Sequence, residues 1–257
     1  MQVIIPMSGA GRRFINAGYT EIKPLIKVEG KPIIQHVIER FSPEDDFIFI
    51  CSQDHLQKTM LKQILNDIMP KGQIIPIEPH KLGPVYAVLK AKNHINIDQP
   101  SIVNYCDFSW RWDYEDFKKT VSHNDCDGSV ISYKGFHPHL LGHNLYASMR
   151  DDGNGWMIEI REKFSFTEDK MKCFQSDGSY YFKNGLYLIK YFQKLIEDGP
   201  SIKGEYYVSL VYNKMKEGGL NIYIYEIPFF LQWGTPEDLE EYLYWSEYFM
   251  NYKKRIG

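Results

Sequence analysis

The stretch PMSGAGRRFINAGYTEIKPLI, residues 6–26, sets two glycines, two adjacent arginines and a lysine directly after an apolar run. Glycines at 9 and 11 clear side chains from a turn, so the backbone N–H groups of Gly9–Gly11 can face an anion, and Arg12 and Arg13 add guanidinium forks. Lys23 precedes Pro24, which holds its backbone extended. An extended segment returning past the glycine turn aims the Lys23 ammonium at the same anion. Three cations around such a turn suit a polyphosphate. A dinucleotide loop would carry a third glycine where Phe14 stands, and a Walker loop would need Gly-Lys-Ser/Thr. Lys27 and Lys31 are further cations of the stretch, and a solvated face accounts for both.

These residues need a scaffold, and the chain spells one. QVIIP (2–6) reads as a strand buried on both faces, followed by a helix over KPIIQHVIERF (31–41) with apolar residues at helical spacing. DFIFICS, GQIIPI and PSIVNYCD read as further strands. Between them DHLQKTMLKQILNDIM reads as a helix with Asp54 as its N-cap, and GPVYAVLKAKNHI as another. Strands alternating with helices imply parallel pairing through right-handed crossovers, with ligands at the carboxyl ends of the strands. Residues 7–14 and 105–107 fall at those ends. After about residue 128 shorter segments follow, GSVISYKG, NLYASMR, GWMIEIREK, YYFKNGLYLIK and LNIYIYEIP, read as strands broken by Gly, Asn and Asp turns. Helices are expected over EYYVSLVYNKMKEG and from Pro236 to the C-terminus. The expectation is one domain over 1–257, with a nucleotide-binding half (1–127) and an acceptor-binding half with a C-terminal helix (128–257).

A net charge of −3 argues against nucleic acid as a partner, since a phosphate backbone calls for a basic footprint. Four scattered cysteines without a CxxC pair fit reduced thiols in the cytoplasm. No apolar run approaches the roughly 18 residues that span a bilayer, and the N-terminus lacks a basic signal region. FHPHLLGH brings His137, His139 and His143 close together, but without cysteine and with Pro and Gly it reads as a loop and not a zinc site. The helix YLYWSEYFMNY (242–252) is apolar around most of its circumference, which suits core packing or a homodimer contact.

Taken together, PMSGAGRRF, AGY and KPLIKVEGKPII resemble the signature of the sugar-phosphate nucleotidyltransferases. HKLGPVYAV, IVNYCD, IREK, NGLYLI, GEYYVSL and WGTPEDLEEY resemble that family's later motifs, in order, over some 230 residues. The closest likeness is to the small cytidylyltransferases of bacterial capsule and surface-polysaccharide pathways, with L-glutamine phosphate among the acceptors it brings. The resemblance implies a Rossmann-like, GT-A-like α/β fold with a mixed sheet flanked by helices. It implies Mg²⁺-dependent transfer of CMP from CTP to a small phosphorylated metabolite, with pyrophosphate released. Met7, Ser8, Gly9, Ala10, Gly11 and Arg12 would bind the nucleotide with Glu78, Leu82 and Gly83 of the base loop. Arg13 and Lys23 would be catalytic. Asp107 would bind the metal, a hard oxygen for a hard cation. Glu162, Lys163, Asn184, Gly185 and Glu205 would contact the acceptor.

Two departures stand out. Gln232 occupies the place of a second metal carboxylate, where an amide oxygen can ligate Mg²⁺ but brings no charge. Arg12 stands where the family has Ser or Thr. Three readings compete with the cytidylyltransferase: a UTP- or dTTP-dependent sugar-phosphate enzyme, a glycosyltransferase, and a non-catalytic nucleotide sensor. A glycosyltransferase would carry D-x-D where this chain has CDFSW.

Overall fold

Gln2–Met7 begins the sheet at its middle: Val3, Ile4 and Ile5 are wholly buried, which requires covering layers on both faces. The structure is a computed structural model that describes residues 1–199 and 201–256. In the first half the strands are β1 (Gln2–Met7), β2 (Lys27–Val28), β3 (Lys31–Pro32), β4 (Asp46–Ser52), β5 (Gln73–Ile77), β6 (Ser101–Asn104) and β7 (Phe108–Arg111). The second half adds β8 (Gly128–Tyr133), β9 (Ala147–Asp151), β10 (Met157–Glu162), β11 (Phe174–Phe182), β12 (Ile222–Glu226) and β13 (Phe229–Gln232). The helices are α1 (Arg12–Asn16), α2 (Ile33–Ile38), α3 (Gln53–Lys58), α4 (Leu61–Ile68), α5 (Pro84–Lys90), α6 (Tyr114–His123), α7 (Gly185–Asp198), α8 (Val208–Glu217) and α9 (Pro236–Ile256).

The main sheet runs β10-β9-β11-β6-β1-β4-β5, with β8 beside β11 and β12 beside β8. β6, β1, β4 and β5 are parallel; β11 lies antiparallel to both β6 and β8. The two expected halves are therefore one sheet, joined where β11 bridges β6 and β8. One face packs against Val85 and Val88 of α5, Leu188 and Phe192 of α7 and Val211 of α8. The other packs against α2, α4 and α6 through Ile34, Val37, Leu65, Phe117 and Val121. A small third cluster, Phe14, Ile26, Val28, Ile33, Trp233 and Leu239, ties α1, α2 and β13 to the start of α9. Among the described residues no helix is long and apolar enough to cross a membrane.

Three elements differ from the sequence reading. The helix expected over 54–69 is two helices, because the Thr59 hydroxyl donates to the His55 carbonyl (2.7 Å) and accepts the Leu61 N–H (3.2 Å). That exchange ends α3 and starts α4; Ser52, not Asp54, precedes the first turn of α3. The helix over 31–41 is shortened to Ile33–Ile38, since Lys31 and Pro32 pair with β2.

The largest change concerns YYFKNGLYLIK, which is the end of a strand and the start of a helix. Asn184 caps α7, its Oδ1 accepting the Tyr187 N–H at 2.8 Å. Gly185 is buried against the Ile95–Asn96 turn, where a Cβ would lie 2.3 Å from the Asn96 carbonyl oxygen. Both residues sit beside Gln99, at the amino end of β6, whereas the glycine turn and Asp107 lie at the carboxyl ends of β1 and β6. Asn184 and Gly185 are thus set apart from the other expected acceptor contacts, and they build the fold.

Gly185→Ala should cost about 1–3 kcal/mol through overpacking against that carbonyl. The check is the midpoint of urea unfolding, and an unchanged midpoint would refute the close contact.

Candidate active site

Met7 ends β1 buried, and the chain turns through Ser8, Gly9, Ala10 and Gly11 into the short helix α1. Gly11 has φ 61°, a left-handed conformation natural to glycine, and leads directly into Arg12 and Arg13, both exposed. The first-turn amides of a helix have no acceptor within it and remain available to an anion. Phe14 anchors the turn from below, 1% exposed, with the Lys23 ammonium 5.2 Å above its ring centre.

Lys23 is not held extended as its place before Pro24 implied: the extended residue is Ile22, and Lys23 opens a 3₁₀ turn, Lys23–Leu25. Its Nζ lies 2.6 Å from Asp107 Oδ2 and 2.8 Å from the Gly234 carbonyl oxygen. The carboxyl end of β6 and the turn before α9 thereby meet the glycine turn. Asp107 itself is fixed through its backbone, its carbonyl accepting the Trp233 N–H at 3.2 Å. Among the described residues only one of its carboxylate oxygens is engaged, and Lys23 holds that one. This donor set fits Mg²⁺, which takes one or two protein carboxylates and completes its shell with phosphate oxygens and water.

Sequence reading missed four residues here. Tyr146, just before β9, stands between Asp107 and Arg13, and burial raises its hydroxyl well above the usual range. Its oxygen would lie 3.2 Å from a Cβ on Gly234, and Asp107 Oδ2 would lie 3.6 Å from the same point. Gly178, in the bulged centre of β11, takes φ 101° and accepts the Tyr105 N–H at 3.1 Å. A Cβ there would strike the Phe108 ring at 2.7 Å, so the glycine lets β11 close on the residues either side of Asp107. Its neighbour Asp177 is fully buried, and burial pushes its carboxyl well above the usual range. The signal for this region was the S-D-G-S-Y run (176–180), seven residues before the Asn-Gly pair expected to serve.

The base loop is equally particular. Gly83, at φ 85°, lies so close to Tyr206 that a Cβ would come within 2.8 Å of its backbone N and O. Packing inside the protein is by itself a reason for glycine here. The Leu82 carbonyl accepts the Tyr206 N–H at 2.9 Å, and Glu205 packs against Gly83 with its carboxylate accepting the Tyr207 hydroxyl at 2.9 Å. Glu205 therefore borders the base loop. Glu78 is exposed upstream.

His80, the third residue missed, joins the glycine turn to the Leu82–Gly83 loop. Its Nδ1 accepts the Leu82 N–H at 3.2 Å, so Nε2 carries the proton and donates to Ser8 Oγ, also at 3.2 Å. Burial, with Lys90 nearby, holds His80 below the usual histidine range.

Glu162 and Lys163 end β10. The Glu162 carboxylate accepts from the Ser209 hydroxyl, and burial pushes its pKa up. Lys163 has φ 54°, strained for a residue with a Cβ, held by its N–H to the Tyr146 carbonyl at 3.0 Å. Its ammonium lies 5.5 Å from the centre of the ring of Tyr207, the fourth missed residue, which also feels Arg13 and Glu162. Arg13, Lys23, Asp107, Tyr146, Lys163 and Tyr207 thus lie near one another. Gln232 is grouped elsewhere. In the β13–β7 ladder it opposes Phe108, while its neighbour Trp233 bonds Asp107, and side chains alternate along a strand. It lines a separate cavity with His137, His139 and Asp238, to which neither Asp107 nor Lys23 contributes. The second metal ligand expected at Gln232 is not what this register presents.

Residues 3–155 match the family described as the MobA-like NTP transferase domain, and the chain belongs to that family. The curated relatives it matches include the bifunctional protein GlmU of Methanococcus maripaludis, 33% identical over 98 residues, which is 38% of this chain and 23% of that protein. The match to GlmU of Methanococcus vannielii is 31% over the same length. The matched stretch thus spans about a quarter of those proteins. The fold is that of a nucleoside-diphosphate-sugar pyrophosphorylase from Vibrio cholerae, with a TM-score of 0.78 at 20% identity over 94% of this chain and 99% of that one. An inositol-1-phosphate CTP transferase from T. maritima superposes with a TM-score of 0.71 at 14% identity, covering 92% and 90% of the two chains.

A histidine neutral in the fold contributes stability fully present above about pH 6.5 and lost as pH falls below it. Asparagine at position 80 retains an acceptor for the Leu82 N–H and cannot titrate. Between pH 6.5 and 5 the unfolding free energy of His80→Asn should therefore fall less steeply than that of the unmodified chain. Parallel curves would show that His80 does not hold the loops in its neutral form.

Proposed function

We propose that this protein is a Mg²⁺-dependent cytidylyltransferase that moves CMP from CTP to a small phosphorylated metabolite and releases pyrophosphate. The observation that carries the reading is the hydrogen-bonded group of Lys23, Asp107 and the Gly234 carbonyl, set beside the glycine turn. The triphosphate would lie on the amides of Gly9–Arg13, with Met7 and Ser8 beneath it and Arg12 reaching the outer phosphates. Leu82 and Gly83 would border the base, with Glu78 accepting from a cytosine amino group. Asp107 would hold Mg²⁺, whose charge neutralises the triphosphate.

The acceptor phosphate, held by Lys163 with Glu162 behind it, attacks the α-phosphorus in line. A phosphorus–oxygen bond forms to the acceptor as the bond to the departing pyrophosphate breaks. Arg13 and Lys23 face the charge that builds on the α-phosphoryl oxygens. Positioning and electrostatics suffice for such a transfer, and no protein nucleophile is required.

L-glutamine phosphate is the acceptor we favour, for a capsular or surface-polysaccharide precursor; a sugar 1-phosphate with UTP or dTTP is the second reading. A release screen over four nucleoside triphosphates and a panel of phosphorylated acceptors decides between them, and no release from any pair would leave the sensor reading. The four unpaired cysteines support a reducing compartment, the cytoplasm. We also propose a homodimer through α9, whose Tyr244, Trp245, Tyr248 and Phe249 are 74, 54, 58 and 54% exposed. Sedimentation should show a dimer that Phe249→Lys reduces to monomers; a monomer before substitution rules this contact out.

Asp107→Asn should lower turnover at saturating Mg²⁺ about 100-fold or more with the fold intact. Lys23→Ala should depress kcat more than CTP affinity, because its ammonium acts on charge developing in the transition state. An effect confined to KM for CTP would make Lys23 a ground-state clamp.

A further inference from the structure

The cavity that holds Gln232 has a chemistry of its own. It measures about 280 Å³, the small end of ligand pockets, and lies between the Phe136–His139 loop, β13 and the first turns of α9. Gln232 is only 4% exposed, yet neither Oε1 nor Nε2 of its amide has a partner among the described residues. A buried amide left wholly unpaired is costly, and a partner from outside the chain would satisfy it.

The groups around it are mostly acceptors. His137 Nε2 lies 3.2 Å from the Phe230 carbonyl oxygen, to which it can only donate, so Nδ1 carries a lone pair, and that atom is also buried without a partner. His139 binds the Tyr133 hydroxyl through Nε2 and leaves its own Nδ1 unpaired. Burial lowers both histidines, His139 to about 3, so neither brings a positive charge. The carboxylates of Asp238 and Glu241 line the same space, and among the described residues no lysine or arginine does. Aromatic rings of Phe136, Phe230, Tyr242 and Trp245 form much of the remaining wall.

An anionic ligand would be repelled by those carboxylates, and a neutral one could donate hydrogen bonds but would leave their charge uncompensated. An ammonium answers them, and aromatic faces stabilise it further. The geometry points to a binding site for a small organic ammonium that also carries a carbonyl or hydroxyl oxygen to accept from Gln232 Nε2. The site is separate from the triphosphate cleft but adjoins it. Tyr146 packs edge-on against His139 at 4.9 Å and against Phe230 at 5.7 Å, while its hydroxyl end reaches the Asp107–Gly234 side. The inference does not depend on nucleotidyl transfer.

Calorimetric titration of the full chain with glycinamide and ethanolamine, against the neutral analogues acetamide and ethylene glycol, tests it. The amines should bind saturably and about tenfold or more tighter than their neutral counterparts. Gln232→Leu and Asp238→Asn should each weaken amine binding about tenfold. Because Asp238 also accepts the Thr235 hydroxyl at 2.8 Å, Glu241→Gln on the exposed side of the helix serves as the variant that spares the fold, and it should weaken binding in the same direction. Equal binding of amine and neutral analogue, no saturable binding up to tens of millimolar, or folded variants that bind like the parent would overturn the proposal. In a pyrophosphate-release assay, an amine that competes with the phosphorylated acceptor marks the cavity as the seat of the acceptor's far end. An amine without effect marks a separate ligand.

Discussion

The ion pair between Lys23 and Asp107 is the constraint on which this site depends. It brings together a segment after β1, the end of β6 and the turn before α9, which are 84 and 211 residues from Lys23 along the chain. Its partners are 15% and 29% exposed, and partly solvated pairs of this kind contribute little to stability, on the order of 0–1 kcal/mol. The pair is better understood as preorganisation. It holds a cation against the carboxylate that a metal would take, so on the proposed function a metal–triphosphate would exchange one positive partner of Asp107 for another. Lys23 would then be released towards phosphate.

The surrounding backbone is shaped for that exchange at positions where only glycine fits. Gly178 lets β11 close on Tyr105 and Phe108, and Gly83 lets the base loop lie on the backbone of Tyr206. Side chains there would push the loops away from Asp107 from both sides. His80 ties the glycine turn to the Leu82–Gly83 loop through Ser8 and Leu82. Lys163, strained at φ 54°, is held through its backbone by Tyr146, whose hydroxyl end lies near Asp107.

Much of this was legible in the sequence because it rests on short-range rules. Continuous apolar runs such as Val3–Ile5 and Phe47–Ile50 can only be covered strands, and Gly-x-Gly followed by arginines can only be a turn that offers amides and charge. Lys23 reaches the carboxyl ends of the strands as expected, but from a 3₁₀ turn and against Asp107, a partner no local rule names. What was hidden depended on register and long-range packing. YYFKNGLYLIK alternates well enough for a strand, yet Leu188, Tyr191, Phe192 and Leu195 recur at helical spacing and Asn184 caps them. Gln232 aligned with a metal ligand by position, but one residue of register decides which face a side chain takes. Tyr146 carries no motif of its own, and Tyr207, though inside GEYYVSL, is no more marked by it than its neighbours; only the folding of the segments before β9 and α8 onto the site places them there.

The central claim is that Lys23 leaves Asp107 for phosphate when nucleotide and metal arrive together. Labelling lysine at Cε and following the Lys23 resonance by NMR tests it most directly, with Lys23→Arg used to assign the signal. The account predicts that Mg²⁺ with a non-hydrolysable CTP analogue moves the resonance markedly, that Mg²⁺ alone does so little, and that Asp107→Asn places it near the nucleotide-bound position before any ligand is added. A resonance unmoved by metal and nucleotide together would contradict the account.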